Sequence, residues 1–352
     1  MQQPSLFAQD HNNSSRDYSN PDCWGKNQFN SSFPASLVAY MSHKGVKPVY
    51  LKTDSCNRVT HDYISGTELF RIDPLAPDAF YLYESGFPAY DMFYTGVRES
   101  IDLVMMSSAT QTPLIGLEIK LTALPDNTTK NKPEAEYGCE IVVRPPTINF
   151  VACTIASNFT GAEGRAQLKE LLGDIHINHW EEINEVLPHY PSIKEAILRV
   201  SAFLHDRQTP LIIQPVWKTM GAKPMLADDC LDVFVWSNLA VIQMFNNRES
   251  AKTINRPMRA VVWLYLMLFE YCVYGQFDYN RIVRLHSYNT GNDKAFSLSG
   301  QQSHKFLTCD ELTHPRISKY EIKNIILGGG QNLLSPERRF DAVIVNSPDL
   351  FE

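Results

Sequence analysis

Ser100-Ile101-Asp102-Leu103-Val104-Met105 and Leu114-Ile115-Gly116-Leu117-Glu118-Ile119-Lys120-Leu121-Thr122 are the two stretches on which the fold turns. A short connection through Ala109, Thr110, Gln111 and Thr112 separates them. Both are apolar runs of strand length, and they read as strands over 100–107 and 114–122. A hairpin centred near 110–111 sets position 102 opposite 118–120. Side chains alternate along a strand, so Glu118 and Lys120 share one face. Asp102 reaches that face only in the right register, because a slip of one residue reverses it. The plain alternative is a surface hairpin in which Glu118 and Lys120 form a solvated ion pair. Ile115, Leu117, Ile119 and Leu121 argue against it, since a charged pair within a buried strand demands a reason.

Two carboxylates and an ammonium on one face suit metal-assisted hydrolysis. Adjacent carboxylates repel, and they stay ionised together most easily around a divalent cation. Mg²⁺ prefers hard oxygen ligands and keeps several waters, so a nucleophile is at hand. Asp102 and Glu118 are the candidate ligands, with the Ile119 carbonyl a third if the strand twists locally. Lys120 is placed to orient a water, assist its deprotonation, or stabilise charge growing on a phosphate. A bare E-x-K means little, for Glu321-Ile322-Lys323 repeats it. The informative pattern is the aspartate followed, after fifteen residues, by the E-x-K.

Working outward, residues 1–35 are polar and rich in Asn and Ser, and form an N-terminal arm whose first part is loose. Residues 36–160 have mixed texture and form the catalytic core. Ala35 to Ser42 reads as a helix and Val49 to Thr53 as a strand. Ser65 and Glu68 have capping-box spacing. Cys139 to Arg144 and Ile148 to Ala156, rich in Val and Ile, read as two more strands. Residues 161–352 form a mostly helical region. Glu163 to Leu172 is a helix closed by Gly173, and His179 to Leu187 another. Ser192 with Glu195 opens a helix to about Asp206. Leu211 to Lys218 and Leu231 to Trp236 are inserted strands, the second leading into a helix to Asn246. Pro257 begins an apolar helix to Tyr274. Gly328-Gly329-Gly330 signals a turn, and Ala342 to Val345 a short strand. The fold class is α/β, a mixed central sheet flanked by helices with a largely helical additional region.

The chain of 352 residues, 44% hydrophobic and 20% charged, is globular and long enough for more than one domain. Its net charge of −7 excludes a wholly basic nucleic-acid coat protein. Residues 251–340 nevertheless carry twelve Lys/Arg against seven Asp/Glu. That surplus, which includes Arg256, Arg259, Arg281, Arg284 and Arg316, is either an ordinary solvated face or a phosphate-contacting surface. Seven scattered cysteines with no C-x-x-C pair argue against a disulfide framework or a Cys-rich zinc site. A reducing cytoplasm is the simplest setting, and the first residues show no signal peptide. The run from Ala260 to Phe269 is too short for a membrane span and reads as a buried core helix. Its Trp263, Tyr265 and Phe269, with Tyr271 just beyond, read as core or dimer interface. His176 and His179 lack the spacing of a helical zinc pair and read as surface residues.

At these acids the sequence resembles the PD-(D/E)xK nucleases. More narrowly it resembles the HindVP-type type II restriction endonucleases, whose members cut the duplex sequence GRCGYC. The resemblance extends to Asn20-Pro21-Asp22-Cys23-Trp24-Gly25-Lys26-Asn27-Gln28-Phe29-Asn30-Ser31-Ser32-Phe33-Pro34 and to Leu124-Pro125-Asp126-Asn127-Thr128-Thr129. It lies mainly in the first 150 residues. Ile101 stands where the superfamily's name places a proline. The resemblance implies that Asp102 and Glu118 bind Mg²⁺ and that Lys120 is the catalytic lysine. An upstream glutamate from Glu68, Glu84 or Glu99 is a further candidate, with no choice among them from sequence. Lys26, Asn27, Asn127, Thr128, Arg256 and Arg259 are candidate contacts to double-stranded DNA. A palindromic target implies a homodimer with one site per strand. The alternatives are a structure-specific repair or recombination nuclease of the same superfamily and a non-catalytic DNA-binding protein.

Overall fold

The computed structural model describes residues 37–120, 122–125, 141–219, 226–246, 249–290, 296–298 and 316–321. Helix α1 covers residues 37–44. It is followed by β1 (Val49–Thr53), β2 (Val59–Tyr63), α2 (Gly66–Phe70), β3 (Ala79–Ser85), α3 (Pro88–Asp91) and β4 (Tyr94–Thr95). Then come β5 (Ile101–Ser107), β6 (Thr112–Ile119), β7 (Thr122–Pro125) and β8 (Ile141–Val143). Four helices follow: α4 (Pro145–Ala156), α5 (Gly161–Leu172), α6 (Ile183–Val186) and α7 (Tyr190–Phe203). Long strands β9 (Pro210–Thr219) and β10 (Leu226–Ser237) lead into α8 (Asn238–Asn246) and α9 (Arg256–Tyr274). The described elements end with β11 (Phe277–Asp278), α10 (Tyr279–Leu285), β12 (Phe296–Leu298) and β13 (Ile317–Ser318).

A nine-stranded mixed sheet organises these elements, in the order β2-β1-β10-β9-β6-β5-β3, with β13 paired to β10 and β7 to β9. The β1–β10 and β6–β9 pairs are parallel, and β5 pairs antiparallel with both β6 and β3. The hairpin read from the sequence is therefore present, at β5–β6. The boundary expected at residue 160 does not divide the sheet, since β9 and β10 lie between β1 and β6.

Alternation along the strands feeds two cores. Leu103, Met105, Leu117, Ile119, Val233 and Val235 pack with Leu37, Met41, Leu69 and Phe70 of α1 and α2. Val104, Ile212, Phe234 and Trp236 turn to the opposite face, against α4, α7, α8 and α9. Helix α2 opens with the capping box read from the sequence: the Ser65 side chain accepts from the Glu68 amide, and the Glu68 carboxylate accepts from the Ser65 amide. Helix α9 is capped by Asn255, whose side chain accepts from Met258 N at 3.0 Å, and it stops at Gly275, with φ of 78°. Among the described residues no helix is long and apolar enough to cross a membrane. Trp263, Tyr265 and Tyr271 of α9 are core residues.

Three local readings differ from the structure. Residues 148–156 form helix α4, not a strand, because Pro145 and Pro146 preset its first turn and burial encloses it nearly all round. Helix α7 begins at Tyr190, running on from a 3₁₀ turn, so Ser192 sits inside it and caps nothing. The helix expected over 179–187 shrinks to Ile183–Val186 followed by that turn. The N-terminal arm, Gly328-Gly329-Gly330 and the strand expected at Ala342 to Val345 lie outside the described residues.

Candidate active site

Leu103 pairs with Leu117 and Val104 with Gly116, so one further step sets Asp102 opposite Glu118. Directly opposed residues of an antiparallel pair share a face. Asp102, Val104, Gly116 and Glu118 therefore line the side of the sheet covered by α4, α7, α8 and α9, while Leu103, Leu117 and Ile119 line the side covered by α1 and α2. Room for this is made at Gly116, where an added Cβ would meet Ile101 and Phe87 carbons at 3.1 Å.

The carboxylates are tied to the strand beside them. Asp102 Oδ2 accepts from the Ile119 amide at 2.8 Å and lies 3.8 Å from Lys120 Nζ. Lys120 Nζ donates to Glu118 Oε2. Lys120 N donates in turn to Ile213 O at 3.0 Å, anchoring the end of β6 to β9. The three side chains thus form one ion-paired group, with Glu118 8% exposed and Asp102 33%. Ile119 joins through its backbone, since its side chain belongs to the core on the other face.

Burial pushes the Glu118 carboxyl up to about 7; Lys120 draws it down, and Asp102, which shares a hydrogen bond with it, raises it further. Desolvation of Lys120 opposes its charge, but Glu118 and Asp102 more than offset this and hold the ammonium above its usual range. Arg144, a like charge, works in the opposite sense.

The three open glutamates are separated by the structure. Glu68 is spent on the α2 cap. Glu99 precedes β5; its amide donates to the Tyr94 hydroxyl at 3.1 Å and its carboxyl is hydrogen-bonded to Tyr279. Glu84 lies on β3, where Tyr83 pairs with Leu103 and Ser85 with Ile101, so its position faces Asp102. Its backbone is left-handed there, with φ of 48°. A non-glycine residue in that region costs roughly 1–3 kcal/mol and persists where the surroundings impose it.

The DNA-contact candidates do not gather at this site. Arg256 is half-buried at the start of α9. Arg259 is 1% exposed, a correction to its reading as a surface contact. Its guanidinium stacks 4.3 Å from the Trp263 ring and donates to Ser287 O and Thr290 Oγ1. Arg316, another member of the basic surplus, makes a bidentate pair with buried Asp232, at 2.7 and 2.8 Å. Lys26, Asn27, Asn127 and Thr128 lie outside the described residues. His176 and His179 are exposed, as read from the sequence. What sequence reasoning missed is Arg144, which stands at the N-cap position of α4 without a side-chain cap bond; only the following Pro145-Pro146 marked a helix start there.

The HindVP restriction endonuclease family matches residues 24–351 of this chain. A type II restriction enzyme of Herpetosiphon aurantiacus, HgiDI, is 39% identical over all of this chain and 98% of its own length. A probable type II restriction enzyme of Haemophilus influenzae, HindVP, is 40% identical over 99% of this chain and 95% of its own. No solved structure matches.

Proposed function

Because this chain belongs to the HindVP restriction endonuclease family, we propose that it is a Mg²⁺-dependent type II enzyme of the PD-(D/E)xK kind. It hydrolyses double-stranded DNA at a short palindrome, GRCGYC being the sequence the resemblance implies, and works as a homodimer that presents one site to each strand. The observation that carries this reading is the grouping of Asp102, Glu118 and Lys120 on one face of two adjacent strands.

The donor set fits the cation. Asp102 and Glu118 supply hard oxygens, and the Ile119 carbonyl is a third. Among the described residues no cluster of three or more His, Cys, Asp or Glu is built to hold a metal. A set with so few protein ligands suits an ion that retains water, unlike the closed Cys/His cage of structural zinc. Bound there, Mg²⁺ would offset the paired carboxylates and polarise the scissile phosphate.

The chain's own residues do the rest. Lys120, ion-paired to both carboxylates, is an ammonium donor that orients the attacking water and meets the charge growing on the phosphate oxygens. Oxygen of that water bonds to phosphorus in line with the 3′ oxygen, whose bond breaks. The water gives up a proton to solvent, the phosphate stays on the 5′ end, and the 3′ oxygen leaves as a hydroxyl after taking a proton from solvent. Glu84 holds the position opposite Asp102 in the β3–β5 register, but among the described residues it forms no three-acid metal group with Asp102 and Glu118. Plasmid digestion with run-off sequencing tests the reading: discrete fragments with ends at one palindrome support it, and random nicking refutes it.

A further inference from the structure

We propose that the open cleft of about 800 Å³ between the β4–β5 connection and the start of α10 receives a phosphodiester of the DNA strand being cut, gripped by Arg144 and Arg284. The inference rests on the reading of this chain as a DNA nuclease, and it assigns a phosphate-binding subsite to residues beside the acids.

Position is the first argument. One wall runs from Gly96 to Glu99 and continues directly into β5, whose second residue is Asp102. The facing walls are Arg144 at the α4 cap and residues 278–284. Arg144 stands at the start of α4, which packs on the sheet face that carries Val104 and, two residues before it, Asp102. A strand reaching Lys120 with one phosphate carries its neighbouring phosphates along the same groove.

The second argument is charge that is not otherwise engaged. Three arginines line the cleft, Arg144, Arg281 and Arg284. Arg281 is ion-paired with Glu270, and Asp278 lies 3.9 Å away. Arg144 and Arg284 are exposed, and among the described residues neither has an ion-pair partner. The opposing carboxylate, Glu99, is held by the Tyr279 hydroxyl. Guanidinium forks match phosphate oxygens in geometry and charge.

The third argument is that the walls are fixed in place. Tyr94 pairs with Phe277 and Thr95 with Asp278. The Tyr94 ring stacks on Phe277 at 6.1 Å and meets Tyr279 edge-on at 6.3 Å. At Gly96, with φ of 105°, a Cβ would lie 2.5 Å from Asn280 Nδ2, so the wall closes there only around glycine. That amide nitrogen is buried against Gly96 and makes no hydrogen bond among the described residues.

The test is binding of a fluorescent duplex across a salt series, with Ca²⁺ replacing Mg²⁺, for the wild type, Arg144→Ala, Arg284→Ala, the double variant and Arg144→Lys. Arg58→Ala, at an exposed turn away from the cleft, is the control. Each alanine should lower the magnitude of the log K against log salt slope by about 0.9. Affinity should fall roughly tenfold per arginine. Arg144→Lys should keep the wild-type slope, and Arg58→Ala should change nothing. A double variant with the wild-type slope and affinity would overturn the cleft assignment while leaving the nuclease reading intact. A wild type that neither binds nor cuts duplex DNA would overturn both.

Discussion

Glu118 and Arg259 are both buried charges, and their surroundings give them opposite uses. Glu118 has a carboxylate across the hairpin and one lysine beside it, so the three groups hold a net negative charge at a place reachable from solvent through Asp102. Glu118→Ala and Lys120→Ala should therefore abolish cleavage in Mg²⁺ while the protein stays folded, since each removes transition-state stabilisation. Asp102→Asn should still bind DNA, because it lowers repulsion toward phosphate, and should not cut. Gel-shift and digestion assays on the same preparations check both outcomes. Arg259, enclosed by Trp263, Ser287 and Thr290, holds the loop after α10 onto α9. Arg259→Met should cost about 2–4 kcal/mol in urea unfolding and leave the salt slope of DNA binding untouched. A third residue reports on pH. Burial lowers the His286 pKa, which the Trp180 carbonyl partly offsets. The unfolded chain then binds more protons than the folded one below the ordinary histidine value of about 6.5. The His286 contribution to stability is present above that value and is lost as pH falls through the lower folded value. His286→Gln should flatten that part of the Tm-versus-pH curve; an unchanged curve would show that the ring stays solvated.

At the scale of elements, β5 and β6 were legible because alternation and the polar connection fix strand, turn and face together. Their register, on which Asp102 depends, was legible only as one of two options, and packing chose it: Leu103, Leu117 and Ile119 are claimed by α1 and α2. Helix α4 was not legible. Val151, Ile155 and the residues between them are buried all round, and a run without a polar face has no period to read. Arg144 and Glu84 were missed or left open for a related reason. A helix cap beside another element, or a residue opposite Asp102 across β3–β5, is a tertiary relation with no local signature. The pairing of β13 to β10 depends on one such relation. Arg316 covers buried Asp232 and also donates to Lys47 O at 2.8 Å. Arg316→Met should cost about 3–5 kcal/mol by removing the guanidinium from a buried carboxylate. Adding Asp232→Asn should recover part of that loss, and equal losses in the single and double variants would show that the pair is not coupled.

Across the whole molecule, a net charge of −7 coexists with a function on a polyanion because the cationic groups are sorted by the fold. The surplus at 251–340, visible in the sequence, is only partly a surface feature, for Arg259 and Arg316 serve the interior. What lines the cleft beside the start of β5 is a smaller set, Arg144, Arg281 and Arg284, drawn from two distant parts of the chain. The sheet does the same for the acids: β9, from the second half of the sequence, braces the end of β6 through Ile213. The central claim is that Asp102, Glu118 and Lys120 together cut DNA at a defined site with Mg²⁺. Its most direct test is one plasmid digested by the wild type and by Lys120→Ala, with and without Mg²⁺, and the products read by run-off sequencing. The account predicts discrete ends at a single palindromic sequence for the wild type in Mg²⁺ only, and intact plasmid for the variant under both conditions. Wild-type cutting in the absence of any divalent cation, or unimpaired cutting by Lys120→Ala, would contradict it.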